Sequence, residues 1–181
     1  MDRKKIQVND LTFELSIHRD TIQKRVSEIA KVINESLSEK NPIFLGILNG
    51  SFMFASDLFK QINIPCQITF LKLASYDGMK STGSVKQLIG INQDLKDRTV
   101  VILEDIVDTG VTLETIVRQL RGYEPNEIQV ATILHKPDSL VRKVELDYVG
   151  FKIPNDFIVG YGLDYNGYGR NLIDIYSVIN K

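Results

Sequence analysis

Cysteine is nearly absent from this 181-residue chain. The single Cys66 cannot close an internal disulfide, so no covalent framework holds the fold. A reducing, cytoplasmic setting is the expectation that follows. One Cys and two His, His18 and His135, are too few for a zinc finger. Long apolar runs are missing too: none approaches the ~20 residues that cross a bilayer. Met1 to Asp10 is polar, unlike a secretory signal, so no membrane partner is expected. Charge of one sign is not in excess. Twenty-two basic residues face 23 acidic ones, and the net charge of −1 argues against a nucleic-acid binder, which is usually basic. Glycine and proline, 12 and 5, are too sparse for a linker-dominated chain. What is present is ordinary for a globular protein, 43% apolar and 25% charged. A single domain over 1–181 is expected, large enough to bury roughly 70% of its unfolded surface.

The periodicity predicts strands and helices in alternation. Phe13 to Ile17 alternates apolar and polar like a half-buried strand. Ile22, Val26, Ile29, Ile33 and Leu37 recur at helical spacing, predicting a helix over 20–39 with Asp20 as N-cap and Pro42 beyond its end. Ile43 to Leu48 and Thr99 to Leu103 are continuous apolar runs that suit strands buried on both faces. A second helix is read over 52–62, a strand over 66–74, a polar loop over 75–84, and a returning antiparallel strand over 85–91. A helix over 111–121 follows, then strands at 128–134, 147–151, 158–161 and 173–178. This order predicts an α/β fold with a parallel sheet. Ligands in such sheets bind beyond the carboxyl ends of strands, which singles out the loops after Leu48, Leu103, Leu134 and Tyr161.

The segment after Leu103 is the most informative. Glu104 and Asp105 end a strand that is otherwise apolar, and Asp108 precedes Thr109-Gly110-Val111-Thr112. A plain helix entry needs one capping oxygen, not three crowded carboxylates, whose like charges repel unless a cation or hydroxyl-rich ligand lies between them. The turn opens a helix, where free N–H groups and the positive dipole end attract phosphate. Gly110 lets a ligand approach the main chain. Carboxylates for hydroxyls beside an amide cradle for phosphate describe a sugar-phosphate site.

Val101 to Thr112 resembles the phosphoribosyl-pyrophosphate motif of the type I phosphoribosyltransferases. Leu48-Asn49-Gly50-Ser51-Phe52, Ser75-Tyr76, His135-Lys136-Pro137 and Phe157 to Tyr165 resemble further motifs of the hypoxanthine(-guanine) branch, in that order, and the likeness spans about Leu11 to Val178. The resemblance implies a twisted, mainly parallel sheet flanked by helices, with a small hood built from 11–17 and segments after about 151. It implies purine salvage, in which phosphoribosyl pyrophosphate and a 6-oxopurine give a nucleoside monophosphate and pyrophosphate. Magnesium is the implied cofactor, and a homo-oligomer, dimer or tetramer, the implied assembly.

Residue roles come with the resemblance. Glu104 and Asp105 would hold the ribose hydroxyls and magnesium, and Asp108 would take the purine N7 proton as catalytic base. Asp108, Thr109, Gly110, Val111 and Thr112 would wrap the 5′-phosphate. Asn49, Gly50 and Arg170 would bind pyrophosphate, with a cis peptide before Asn49. Many relatives carry Lys where Asn49 stands, and some carry Lys where Val111 stands. Asp164 would reach a second magnesium near the purine. Lys136 would donate to the purine 6-oxygen, Phe157 would stack on the ring, and the Ile158 main chain would read its edge. Ser75 and Tyr76 would tip a lid. His18 and His135 receive no role. Two competing readings stay open at this stage. One is an adenine or pyrimidine phosphoribosyltransferase, which would lack the Lys136 and Phe157 pair; the other is an RNA-binding attenuation protein on the same fold, which would want a basic face.

Overall fold

A computed structural model describes residues 4–74 and 86–179. Two sheets organise them. The larger is built from β3 (Ile43–Leu48), β4 (Gln67–Ala74), β5 (Lys86–Ile89), β6 (Thr99–Val107), β7 (Glu127–His135) and β8 (Tyr148–Lys152), in the order β5-β4-β3-β6-β7-β8. Every neighbouring pair is parallel except β4 with β5, which is antiparallel as the sequence pattern predicts. Helices α1 (Arg19–Ser36) and α2 (Phe52–Phe59) cover one face, and α3 (Val111–Arg121) covers the other. Along β6, Val101 and Leu103 pack with Ile22, Val26, Phe54 and Leu58, while Val100 and Ile102 pack with Leu113, Ile116 and Leu120. Burial on both faces is the reason this strand reads as an unbroken apolar run.

The smaller sheet has the order β1-β2-β10-β9, from β1 (Lys5–Val8), β2 (Leu11–Ile17), β9 (Ile158–Val159) and β10 (Ile175–Val178). It joins the N-terminal strand to segments after Phe151, which is the expected hood. Strand β1 goes unread in the sequence although Lys5-Ile6-Gln7-Val8 alternates polar and apolar; four residues are a short pattern within a polar N-terminal stretch. The Asn9-Asp10 pair was the available signal: Asn9 takes φ 53° in a two-residue hairpin turn, with Val8 opposite Leu11.

Several predicted boundaries need correction. The cap of α1 is His18, not Asp20. His18 is extended, and its Nδ1 accepts from the Asp20 N–H at 3.3 Å, which leaves Asp20 in the first turn, where a carboxylate meets the positive dipole end. Helix α1 stops at Ser36 rather than 39, and α2 at Phe59 rather than 62. Beyond α2 the chain tightens into i→i+3 bonds, Gln61 N–H to the Leu58 carbonyl and Ile62 N–H to that of Phe59. Strand β6 runs on to Val107, so Glu104 and Asp105, which the sequence puts at the strand's end, lie within it with two residues beyond. Among the described residues no helix is long and apolar enough to cross a membrane.

Candidate active site

Strands β3, β6 and β7 are adjacent and parallel, so the turns after Leu48, Val107 and His135 meet along one carboxyl edge. The turn after β3 begins with a cis peptide between Leu48 and Asn49. Asn49 is exposed and Gly50 buried. A Cβ on Gly50 would overlap the Asp105 carboxylate, so only glycine lets this backbone lie on that side chain. Gly162, from the loop after β9, packs as closely on the Gly50 carbonyl.

The two carboxylates at the end of β6 are short of donors. Glu104 is 6% exposed, and no side-chain donor among the described residues bonds it. Burial, and then the charge of Asp105, push its pKa well above the usual carboxylate range. Asp105 accepts one bond, from the Ile106 N–H at 2.8 Å. Burial is the largest influence on Asp105 and lifts its pKa to about 6; the nearby Arg170 opposes the rise and Asp164 adds to it. Asp164 itself is engaged, with Oδ1 2.6 Å from Arg170 Nη2 and Oδ2 accepting from the Gly167 N–H at 2.7 Å.

These carboxylates suit a hard cation only in part. Among the described residues no three acidic, His or Cys side chains converge on one point. Glu104 and Asp105 are oxygen donors with charge to spare, which fits magnesium that takes most of its ligands from substrate and water. Asp164 can reach a second ion only by loosening its bond to Arg170.

The turn from Asp108 to Thr112 has the shape expected of a phosphate cradle. The N-cap of α3 is Gly110 at φ 79°, with no side-chain cap, so Asp108 is not spent on capping. A Cβ on Gly110 would come within 2.6 Å of the Arg142 carbonyl. The Thr109 carbonyl accepts from the Val141 and Arg142 N–H groups, both at 3.0 Å, which braces the turn from behind. Thr109, Val111 and Thr112 are exposed, and the first-turn N–H groups of α3 have no intrahelical acceptor.

Lys136 is 7% exposed, and its ammonium lies 3.3 Å from Asp108 Oδ2. From the sequence, Lys136 and Asp108 have different expected roles at the purine; the structure joins the two side chains in an ion pair. Phe157 is 39% exposed, with its ring 6.2 Å from Phe13 and edge-on to Tyr165 at 5.6 Å, so one face is supported and one is free. Ile158 is buried beside it. Ser75 and Tyr76 lie outside the described residues. His135 is buried, neither ring nitrogen has a hydrogen-bond partner among the described residues, and burial lowers its pKa. Sequence reasoning missed one contact here: Tyr161 O–H donates to Asp57 Oδ2 at 2.9 Å across 104 positions, and no local pattern announces it.

Comparison with known proteins agrees with this geometry. A sequence model of the phosphoribosyl transferase domain matches residues 16–166. The hypoxanthine-guanine phosphoribosyltransferase of Staphylococcus epidermidis is 39% identical over 157 residues, 86% of this chain and 88% of that one. The hypoxanthine phosphoribosyltransferase of Haemophilus influenzae is 38% identical over 170 residues, 92% and 95% of the two chains. The crystal structure of a hypoxanthine phosphoribosyltransferase from Staphylococcus aureus matches with a TM-score of 0.87 at 37% identity, covering 94% of this chain and 93% of that one. The chain therefore belongs to the phosphoribosyl transferase family, in its hypoxanthine(-guanine) branch.

Proposed function

We infer that this enzyme serves purine salvage, moving the 5-phosphoribosyl group from phosphoribosyl pyrophosphate to hypoxanthine, and to guanine, with release of pyrophosphate. Purine N9 bonds to the anomeric carbon as the bond from that carbon to pyrophosphate breaks. Positive charge develops on the sugar and negative charge on the leaving group. Asp108 receives the N7 proton, within reach of a base seated on Lys136. Glu104, which no donor among the described residues bonds, and Asp105, which takes one bond from the Ile106 N–H, accept from the ribose hydroxyls. The Asp108–Thr112 turn holds the 5′-phosphate. The main chain of Asn49 and Gly50 and the guanidinium of Arg170 hold pyrophosphate; with five N–H donors, Arg170 keeps its bond to Gly162 and still has donors to offer as Asp164 loosens from it. Glu104 and Asp105 would hold magnesium together with substrate oxygens, and Asp164 would reach a second ion; bound there, magnesium would supply positive charge for the departing pyrophosphate.

Base selection follows from the buried ammonium. Lys136 has three donors, so one can stay on Asp108 while another reaches the purine 6-oxygen. Adenine presents an amino group there, a donor to a donor, and leaves the ammonium unpaired. Phe157 offers its free face to the ring, and Ile158 its main chain to the edge. Ser75 and Tyr76, at a lid tip, complete the exclusion of water. The enzyme acts in the cytoplasm, as a dimer or tetramer, on small molecules.

The observation that carries this reading is the buried Lys136 paired with Asp108 beside an open phosphate turn. The test is a panel of hypoxanthine, guanine, xanthine, adenine and uracil with phosphoribosyl pyrophosphate, with and without magnesium. Turnover of hypoxanthine and guanine that chelation abolishes is the expected result. Equal use of adenine, or full turnover in excess chelator, would overturn it.

A further inference from the structure

Tyr161 stands between two parts of the site. It is 1% exposed and takes φ 49°, flanked by Gly160 and Gly162, both at φ 99°. A non-glycine residue persists in that conformation only where its surroundings hold it. Two bonds do so. Its N–H donates to the Leu172 carbonyl at 2.7 Å, and its phenol donates to Asp57 Oδ2 at 2.9 Å. Asp57 lies on α2, the helix that begins directly after the Asn49–Gly50 turn, and it also accepts from Lys60 Nζ and from Gln23 Nε2 of α1. Asp57 is thus a fixed post rather than a swinging side chain.

The residue after Tyr161 carries the consequence into the site. Gly162 lies on the Gly50 carbonyl, and Gly50 lies on Asp105. Gly162 N–H donates to the Arg170 carbonyl at 3.1 Å, and its own carbonyl accepts from Arg170 Nη1 at 2.7 Å. A shift of Tyr161 would therefore move both the backbone resting on Gly50 and the guanidinium that faces Asp164.

We propose that Tyr161 and Asp57 are positioning residues for pyrophosphate: their hydrogen bond clamps the Gly160–Gly162 turn onto α2 and sets the spacing between the Asn49–Gly50 main chain and Arg170. The inference rests on the phosphoribosyltransferase reading. The 5′-phosphate and the purine 6-oxygen are held on the Asp108–Thr112 turn and Lys136, at other strand ends, so the clamp acts on pyrophosphate far more than on the nucleotide.

The experiment measures binding of magnesium pyrophosphate and of inosine monophosphate to the full chain by calorimetry, beside steady-state turnover of hypoxanthine. Tyr161→Phe should weaken pyrophosphate binding about tenfold, the loss of one bond to a charged acceptor, and leave nucleotide binding within about twofold. Asp57→Ala, which removes the acceptor, should reproduce that split, and the double variant should add little to either single one. Unchanged pyrophosphate binding, equal weakening of both ligands, or full additivity would overturn the clamp. If Tyr161→Phe does not fold, Asp57→Ala decides by the same split. Failure of the underlying reading shows differently, as a wild-type chain that binds neither ligand and turns over no hypoxanthine.

Discussion

Two sets of sheltered carboxylates in this molecule are treated in opposite ways. Asp57 sits where α1, α2 and the Gly160–Gly162 turn meet, and it accepts from Lys60, Gln23 and Tyr161. Burial alone would raise its pKa, but those three donors outweigh burial and hold it below the usual range. Glu104 and Asp105, at the end of β6, receive one backbone bond between them, and both pKa values rise. Supplying donors to Asp57 stabilises the fold. Withholding them from Glu104 and Asp105 costs stability and leaves acceptors open for hydroxyls and a cation. A carboxylate without partners inside a well-satisfied structure marks the place where the ligand completes the bonding.

The sharpest way to break this contrast is at Asp108, which has one donor, Lys136, and is 43% exposed. Asp108→Asn keeps the shape but cannot take a proton, so turnover should fall by about 100- to 10,000-fold. Phosphoribosyl pyrophosphate binding should change far less. A single-turnover rate equal to wild type would remove Asp108 from the proton transfer.

Lys136→Ala comes next in size. The ion pair with Asp108 means that this change removes the purine 6-oxygen donor and also frees the base from its partner. The specificity constant for hypoxanthine should fall by about 10- to 150-fold, the equivalent of ~1.5–3 kcal/mol for a charge-assisted bond. The preference over adenine should shrink with it. Measuring both bases with wild type and variant checks this; an unchanged hypoxanthine-to-adenine ratio would show that another group selects the base.

The sequence made the apolar half of this comparison easy to read and the polar half hard. Strands β3, β6 and β7 announce themselves because both faces are buried and every residue must be apolar. The acidic end of β6 was legible because carboxylates interrupt that run. Its full length was not, because the two carboxylates interrupt the apolar run and hide its continuation through Ile106 and Val107. The pairing of Lys136 with Asp108, 28 residues apart, and of Tyr161 with Asp57, 104 apart, depends on which strand ends lie side by side. Periodicity carries no information about that. The His18 cap was hidden for a simpler reason: an imidazole nitrogen did the work usually given to Ser, Thr, Asn or Asp.

Asp105 should show the cost of an unpartnered carboxylate directly. Its pKa is raised from the ordinary 3.8 to about 6, so the native state holds the proton more tightly than the unfolded chain. Stability must then fall as pH rises through that window, and the penalty is complete above it. Asp105→Asn should stabilise the ligand-free protein by about 1–3 kcal/mol at pH 7.5, at about 1.4 kcal/mol per pKa unit and less where the side chain still reaches water. The gain should vanish near pH 4, where the native Asp105 is already neutral. Urea unfolding across pH tests this, and a variant no more stable at pH 7.5 than at pH 4 would contradict it.

Asp57 should give the mirror image, and the smallest effect. Its pKa is lowered, so it contributes stability above the unfolded carboxylate range and loses that contribution as pH falls through the folded value. In Asp57→Asn the amide oxygen can still accept from Tyr161 and Gln23, which share Oδ2, but the amide N–H₂ then confronts another donor, Lys60. Bonds to a charged acceptor are worth ~1.5–3 kcal/mol when sheltered, yet Lys60 is 67% exposed and its pair with Asp57 is screened. The net loss at neutral pH should be about 1 kcal/mol, shrinking in acid, where the wild-type carboxylate is protonated too. Unfolding curves of the two asparagine variants should therefore move in opposite directions from wild type at pH 7.5; the Asp105→Asn gain fades near pH 4, while the Asp57→Asn loss persists there and fades only below the ordinary carboxylate pKa of 3.8. If Asp57→Asn stabilised the protein at neutral pH, its three donors would not be offsetting its burial, and the distinction between a carboxylate that holds the fold and one that waits for substrate would fail at its structural end.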